Sequence, residues 1–569
     1  MSELAVLWGA LFITLVASCA LTFIGSWLVL WRYRLSVARA MSMSGFEPVE
    51  HASSGVAPPA PAVGIVSTSP VTTNPGREEP SDRAEILLRR AVQAPWLETG
   101  CLAAAGLAYA LVLACAYLLA IPAARTPTRF ALTLWVDIWP LVIAAALTAP
   151  RFLRSAAVGS ALYFMPFVLG TIALLVFPDA PADSVDAALL GLRDTVTPTL
   201  MVWFWIIFAG APTFALLLFL NPRLRAVSPL LLAFTMIALA ILMTAWILTF
   251  ASPLKDLIYR LADATPGGWA GWLLLAGSLL LGLAAAAGAG WTVLHWIKKA
   301  TLAKAISDRT LVVDAVWLYF ASYYAMQFVV QGRAWLLTGA LAFAVYWTVL
   351  AAARSRLRRQ DPLLAPRGLT FLRVFALGPR SNTLFNALAK HWRRVGSMQL
   401  ITGPDLAQST AQPHQLLDYV TGRLASHFIG DARTLEARLE LLDRAPDRDG
   451  WYRINNFFCR ADAWKAVLAR LVQEGNVVLM DLRSFSVNNA GCVHEIRHLI
   501  EFVPIGRCVF IVDATTDIPY LRSVLRETWA DLNGTSPNRQ ATAESVELHA
   551  YESGSRALHS LLHRLCQAA

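Results

Sequence analysis

His494-Glu495-Ile496-Arg497-His498 is a literal HExxH string. On a helix, residues four apart share a face, so His494 and His498 could hold Zn²⁺ while Glu495 polarises a bound water. That chemistry would be metal-assisted hydrolysis, as in a membrane zinc metalloprotease. No third ligand is evident in the sequence. Glu501 lies too near on the same helix, and Arg497 stands where such helices usually keep an uncharged residue. The plainer reading is that His494 and His498 decorate an exposed helical face beside Arg497 and Glu501. A second set of reactive residues follows apolar runs in four turns: Gly378-Pro379-Arg380-Ser381, Gly403-Pro404-Asp405, Asp481-Leu482-Arg483-Ser484 and Asp513-Ala514-Thr515-Thr516-Asp517. If those runs are parallel strands, the turns converge beyond their carboxyl ends. Arg380, Ser381, Asp405, Ser484 and Asp513 would then line a cleft suited to a phosphate-bearing ligand. Helix capping competes with that reading, because Thr516 or Asp517 ahead of Pro519 is a good helix start.

The elements that would position these residues alternate in type. Strand-like runs occupy Phe371–Leu377, Met398–Thr402, Val477–Leu482, Cys508–Val512 and Val546–Tyr551, with an extra run at Ile454–Cys459. Helical patterns fall at 382–394, 413–428, 432–443, 461–474, 489–502, 518–531 and 555–567. Near-continuous apolar strands between helices imply a mostly parallel sheet covered on both faces, a three-layer α/β domain. Neither a Walker A sequence nor a GxGxxG after a strand is present, which counts against a P-loop NTPase or a standard dinucleotide dehydrogenase.

Within this domain, Gly491-Cys492-Val493-His494-Glu495-Ile496 follows an apolar strand and a Ser-rich turn. That segment resembles the Toll/interleukin-1 receptor (TIR) family, in which a Trp-Cys-x-x-Glu-Leu type motif opens the helix. Here Gly replaces Trp and Ile replaces Leu. The run Phe371–Leu377 with its Gly378–Ser381 turn looks like the family's opening, and Met398–Asp405 is similar to its second strand and loop. The resemblance covers most of residues 369–569, whereas 430–460 looks like an insertion. It implies a TIR/flavodoxin-like scaffold that self-associates or handles a nucleotide, with NAD as the substrate where the domain is catalytic. Glu495 would then be the carboxylate that drives cleavage of the nicotinamide–ribose bond, and Cys492 would be packing.

The rest of the chain is of another kind. Mean hydropathy is +0.52, too apolar for a water-soluble protein of this length. Nine runs are long enough to span a bilayer: 4–31, 101–122, 129–150, 156–177, 198–220, 226–250, 269–294, 310–330 and 334–353. The first reads as an uncleaved anchor, because it is long and Glu3 replaces a basic leader. Basic residues fall in alternate connections, including Arg32/Arg34/Arg39, Lys298/Lys299/Lys304 and Arg354/Arg356/Arg358/Arg359. The positive-inside rule therefore expects a multi-pass inner-membrane protein with its C-terminal domain cytoplasmic. The net charge of +10 fits that bias and contact with anionic lipid, and no nucleic-acid face is apparent. The seven cysteines lack a CxxC and read as reduced thiols.

These features divide the chain into an anchor at 1–31, a flexible linker at 32–96 carrying a short surface helix around 83–94, a bundle at 97–353, a basic linker at 354–368 and the α/β domain at 369–569. Pro253 to Ala264 reads as an amphipathic surface stretch. Asp137 and Asp314 are isolated carboxyls inside spans, where an acid points to proton or cation handling. A transporter with a regulatory nucleotide-binding domain is the alternative that rests on them. The leading expectation is a membrane-anchored signalling or defence-type protein whose partners are the lipid bilayer and other copies of its own α/β domain.

Overall fold

The structure, a computed structural model, describes residues 22–37, 39, 80–121, 125, 127–148, 152–176, 205–210, 212–214, 216, 253–327, 332–360, 367–373, 379–402, 419, 428–459, 463–474 and 476–569. It divides into two units. One comprises Met1–Tyr33, Pro95–Pro362 and Ala411–Val420, and the other Arg34–Ala94, Leu363–Thr410 and Thr421–Ala569.

The first unit is helical. Among the described residues, four helices are long and apolar enough to cross a membrane: Arg83–Ala120, Phe130–Thr148, Pro266–Leu302 and Leu337–Leu357. They overlie four of the expected spans. Helices Phe152–Val176 and Asp308–Gln327 occupy two more expected spans without being among those four. The expected span 226–250 lies outside the described residues, as do most of 4–31 and 198–220. Close approach of these helices depends on glycine, since a Cβ on Gly339 would sit 2.5 Å from the Ala321 carbonyl oxygen. The Pro253–Ala264 stretch is a helix packed on the following one, where a Cβ on Gly271 would meet the Ile258 carbonyl at 2.7 Å.

The second unit is an α/β domain. Its strands are β1 (Leu369–Arg373), β2 (Met398–Thr402), β3 (Phe428–Ile429), β4 (Ile454–Cys459), β5 (Val477–Asp481), β6 (Cys508–Val512) and β7 (Leu548–Ala550). They form one seven-stranded sheet in the order β3-β4-β2-β1-β5-β6-β7, and each neighbouring pair is parallel. β1, β5 and β6 are buried along their whole length, which is why they read as unbroken apolar runs. The domain's helices are α1 (Pro379–Trp392), α2 (Ala432–Glu440), α3 (Ala463–Gln473), α4 (Ala490–Phe502), α5 (Ile518–Ala530) and α6 (Ser555–Gln567).

Each sheet face has its own core. Leu435, Leu468, Ile496 and Val524 from α2 to α5 pack with Leu372 and Met480 on one side. Leu388 and Leu562 from α1 and α6 pack with Phe371 and Leu479 on the other. Ala84, Leu87 and Ala91 join this second core. The short helix expected near 83–94 is therefore the start of the longer helix Pro80–Ala120, and its apolar stripe is covered by the domain.

Differences from expectation are local. β1 begins two residues earlier than expected, because its ladder to β2 starts at Leu369 opposite Met398. β3 lies where a helix over 413–428 was expected to end, and the rest of that helix lies outside the described residues except position 419. The apparent insertion at 430–460 contains α2 and β4, and β4 with the preceding β3 extends the sheet beyond β2.

Candidate functional site at the carboxyl edge of the sheet

Chain order reverses at β1: the chain moves to β2 on one side and later returns to β5 on the other. At such a switch point the connections leave in opposite directions and open a crevice beyond the strand ends. The two strands end in charged residues, Arg373 on β1 and Asp481 on β5, which are register partners. Both are buried, at 4% and 0% exposure.

Asp481 is held from several directions. Arg483, itself buried, donates to it from Nε at 2.8 Å and from a terminal nitrogen at 2.7 Å. Ser381 in the first turn of α1 donates its hydroxyl to the same carboxylate at 3.2 Å. The Arg483 guanidinium also lies over the Tyr551 ring, 5.4 Å from its centroid. A fork-on-carboxylate pair at this depth leaves neither charge uncompensated. The next residue, Ser484, takes a left-handed backbone (φ 61°) that turns the chain sharply out of β5.

Nearer solvent, Arg380 pairs with Asp513 at 2.8 Å, and 54% of the Arg380 side chain stays exposed. Burial pushes the Asp513 carboxyl up, but hydrogen bonds from Thr515 and the Arg380 guanidinium outweigh it and hold the group below its ordinary value. Ser484 and Thr515 join hydroxyls at 2.9 Å beside this pair. The edge thus presents a guanidinium and two hydroxyls, donors of the kind that meet a phosphate. The capping reading holds as well: Asp517 accepts from the Tyr520 amide at 3.0 Å and starts α5, with Pro519 in its first turn.

Glu495 lies on the inner side of α4 at 1% exposure. Burial raises its carboxyl to about 8, and the positive charge of Arg373 works against that rise. Its Oε2 has no hydrogen-bond partner among the described residues. One turn earlier, the Cys492 thiol lies 3.9 Å from the Arg373 carbonyl oxygen, so this part of α4 packs against the end of β1. A buried carboxyl raised in this way beside the switch point makes Glu495 a candidate for the site.

The histidines of the HExxH string lie elsewhere on the helix. His494 is exposed, stands edge-on to Trp464 at 5.5 Å and stacks with His498 at 6.3 Å. Burial lowers both imidazoles, and the neighbouring cations lower His494 further. Among the described residues, no group of three His, Cys, Asp or Glu side chains could hold a metal ion. Of the residues expected at the site, Arg380, Ser381, Ser484, Asp513 and Glu495 are placed at or beside the carboxyl edge, and Asp405 lies outside the described residues. Arg373 and Tyr551 were missed as site residues. The signal for Arg373 was there, a lone cation inside the apolar run Phe371–Leu377.

Asp137 and Asp314 both belong to the helical unit. Asp314 accepts from the Tyr346 hydroxyl at 3.4 Å, and Asp137 is 5% exposed. Six cysteines are free among the described residues, and four of these belong to the α/β unit.

Compared with known proteins, the chain matches no family model, no curated protein and no solved structure.

Proposed function

We propose that the chain is a membrane-anchored protein whose α/β domain faces the cytoplasm, binds a nucleotide at the carboxyl edge of its sheet and cleaves NAD through Glu495. The observation that carries this reading is the buried Glu495 carboxyl, raised to about 8 beside Arg373 at the switch point. Two further features support it. Without β3 and β4, the strand order is β2-β1-β5-β6-β7, which is the flavodoxin-like order whose ligand sits at the switch point. Arg380, Ser484 and Thr515 supply donors for a phosphate at that edge.

In the proposed step the C–N bond between ribose and nicotinamide breaks, and the leaving nicotinamide keeps the bonding pair. It departs neutral and so needs no acid. Positive charge develops on the ribose, where an ionised Glu495 would stabilise it, as glycosidase carboxylates do. Water then adds to the ribose and releases a proton. In the free domain Glu495 is mostly protonated at neutral pH, and the cationic ring of bound NAD would favour its ionisation. Self-association of the domain belongs to this reading through the TIR resemblance alone.

The test is nicotinamide release from NAD by the full chain in liposomes, beside Glu495→Gln. Release that is lost in the variant supports the proposal. A folded wild-type protein that releases none, at any protein density in the bilayer, would overturn catalysis and leave a binding or assembly domain.

A further inference from the structure

We propose that Asp137 is a proton-binding site of the helical unit, a carboxyl that takes up and releases a proton inside the span. This inference is independent of the α/β domain and of any chemistry at Glu495.

Three observations carry it. First, the span Phe130–Thr148 is broken at its centre. One helix ends at Asp137 and the next begins at Trp139, with Ile138 between them in a turn. Pro140 contributes no N–H there, and the break is bridged by Ile138 N–H to Leu134 O at 3.1 Å and Leu141 N–H to Ile138 O at 2.9 Å. Pro140 cannot serve the Val136 carbonyl, which accepts instead from the Tyr324 hydroxyl at 3.3 Å, so the kink beside the acid is held by a side chain of another helix.

Second, the carboxyl is buried without a compensating charge. Asp137 is 5% exposed, and its Oδ2 has no hydrogen-bond partner among the described residues. Val136 and Trp139, on either side of the break, belong to the buried apolar core of the unit. The groups that feel its charge are the hydroxyls of Tyr109, Tyr163 and Tyr324, one from each of three other helices. Of these, Tyr324 donates to the Val136 carbonyl at 3.3 Å, while the Tyr109 hydroxyl has no hydrogen-bond partner among the described residues.

Third, the same unit shows how it treats an acid meant to stay charged. Glu98 is equally buried, at 4% exposure, and is met by Arg309 at 3.5 Å and Arg354 at 3.2 Å. Among the described residues, Asp137 has no such pair. An isolated carboxylate in an apolar medium is strongly disfavoured, and a proton neutralises it without requiring any further ligand. A metal cation would instead require several oxygens, and among the described residues no group of three His, Cys, Asp or Glu side chains could hold one.

The experiment is labelling of the full chain in liposomes with dicyclohexylcarbodiimide, mapped by peptide mass spectrometry. The reagent adds the un-ionised carboxyl across its C=N bond, with the proton going to nitrogen and the oxygen to carbon. The expected result is an adduct on Asp137 at neutral pH that declines as the bathing solution is made alkaline. Asp137→Asn should lose it and Asp137→Glu should retain it. Because wild-type protein alone carries the main readout, a variant that fails to fold does not decide the outcome. No adduct on Asp137 would overturn the proposal. So would an adduct suppressed by sodium at constant pH, the mark of a metal-cation site, or one unchanged across pH, the mark of an acid sealed from water.

Discussion

Replacing Glu495 by Gln should flatten the pH dependence of the α/β domain's stability. The buried carboxyl titrates near 8 in the folded domain, against its ordinary value of 4.5. Below the lower value, folded and unfolded chains both hold the proton, and Glu495 contributes no slope. Between the two values the unfolded chain has released its proton while the folded domain keeps it. Each pH unit in that window therefore removes about 1.4 kcal/mol of stability. The whole window removes roughly 3–5 kcal/mol, a large share of the ~5–15 kcal/mol typical of a folded domain. Above pH 8 the loss is complete. The assay is hydrogen exchange of the β1 and β5 amides in the full chain in detergent, with intrinsic exchange rates corrected, from pH 4.5 to 8.5. In wild type the free energy of opening should fall steadily. In Glu495→Gln it should stay nearly level, and the two curves should converge near pH 5. Parallel curves would mean that Glu495 is ionised throughout, which would refute both the burial argument and the acid's tuning toward neutrality.

Arg483→Met leaves Asp481 buried at 0% exposure without its fork of donors, which should cost about 3–5 kcal/mol and lower the domain's melting temperature by roughly 10 °C. Adding Asp481→Leu should recover much of that loss; a single variant that melts with wild type would show that the pair is not compensating a buried charge. Gly396→Ala would put a Cβ 1.7 Å from the Arg367 carbonyl oxygen, where β1 and β2 begin, and should destabilise the domain by about 1–3 kcal/mol in urea titrations. Asp431→Ala removes the cap that accepts from the Thr434 amide at 2.7 Å, at a cost of about 1 kcal/mol near neutral pH. The hydrogen bonds from Thr434 hold that carboxyl below its ordinary value, so its contribution is present above that value and lost as pH falls through the lowered one. Melts of the variant and wild type should accordingly converge in strong acid.

The sheet was legible because burial on both faces erases alternation. Cys508–Val512 reads as five consecutive core residues, and β2, β4 and β6 have the expected bounds. β3 was not legible, because two residues carry no period. Apolar length marked the candidate spans, and helix lies at six of them, at 101–122, 129–150, 156–177, 269–294, 310–330 and 334–353. The candidate site was half legible for a different reason. Turn residues such as Arg380 and Ser484 announce themselves by type and by following a strand. A buried charge is explained only by a partner that the sheet brings to it. Parallel register sets Arg373 opposite Asp481, and the packing of α4 on β1 sets the same Arg373 to act on Glu495. None of those pairings is visible at helical or strand spacing. The HExxH string is the converse case, since its spacing fixes which residues share a helical face but not which way that face turns. Here the core takes Glu495 and leaves His494 at the surface, so the carboxyl's chemistry is set by β1 rather than by its neighbours in sequence.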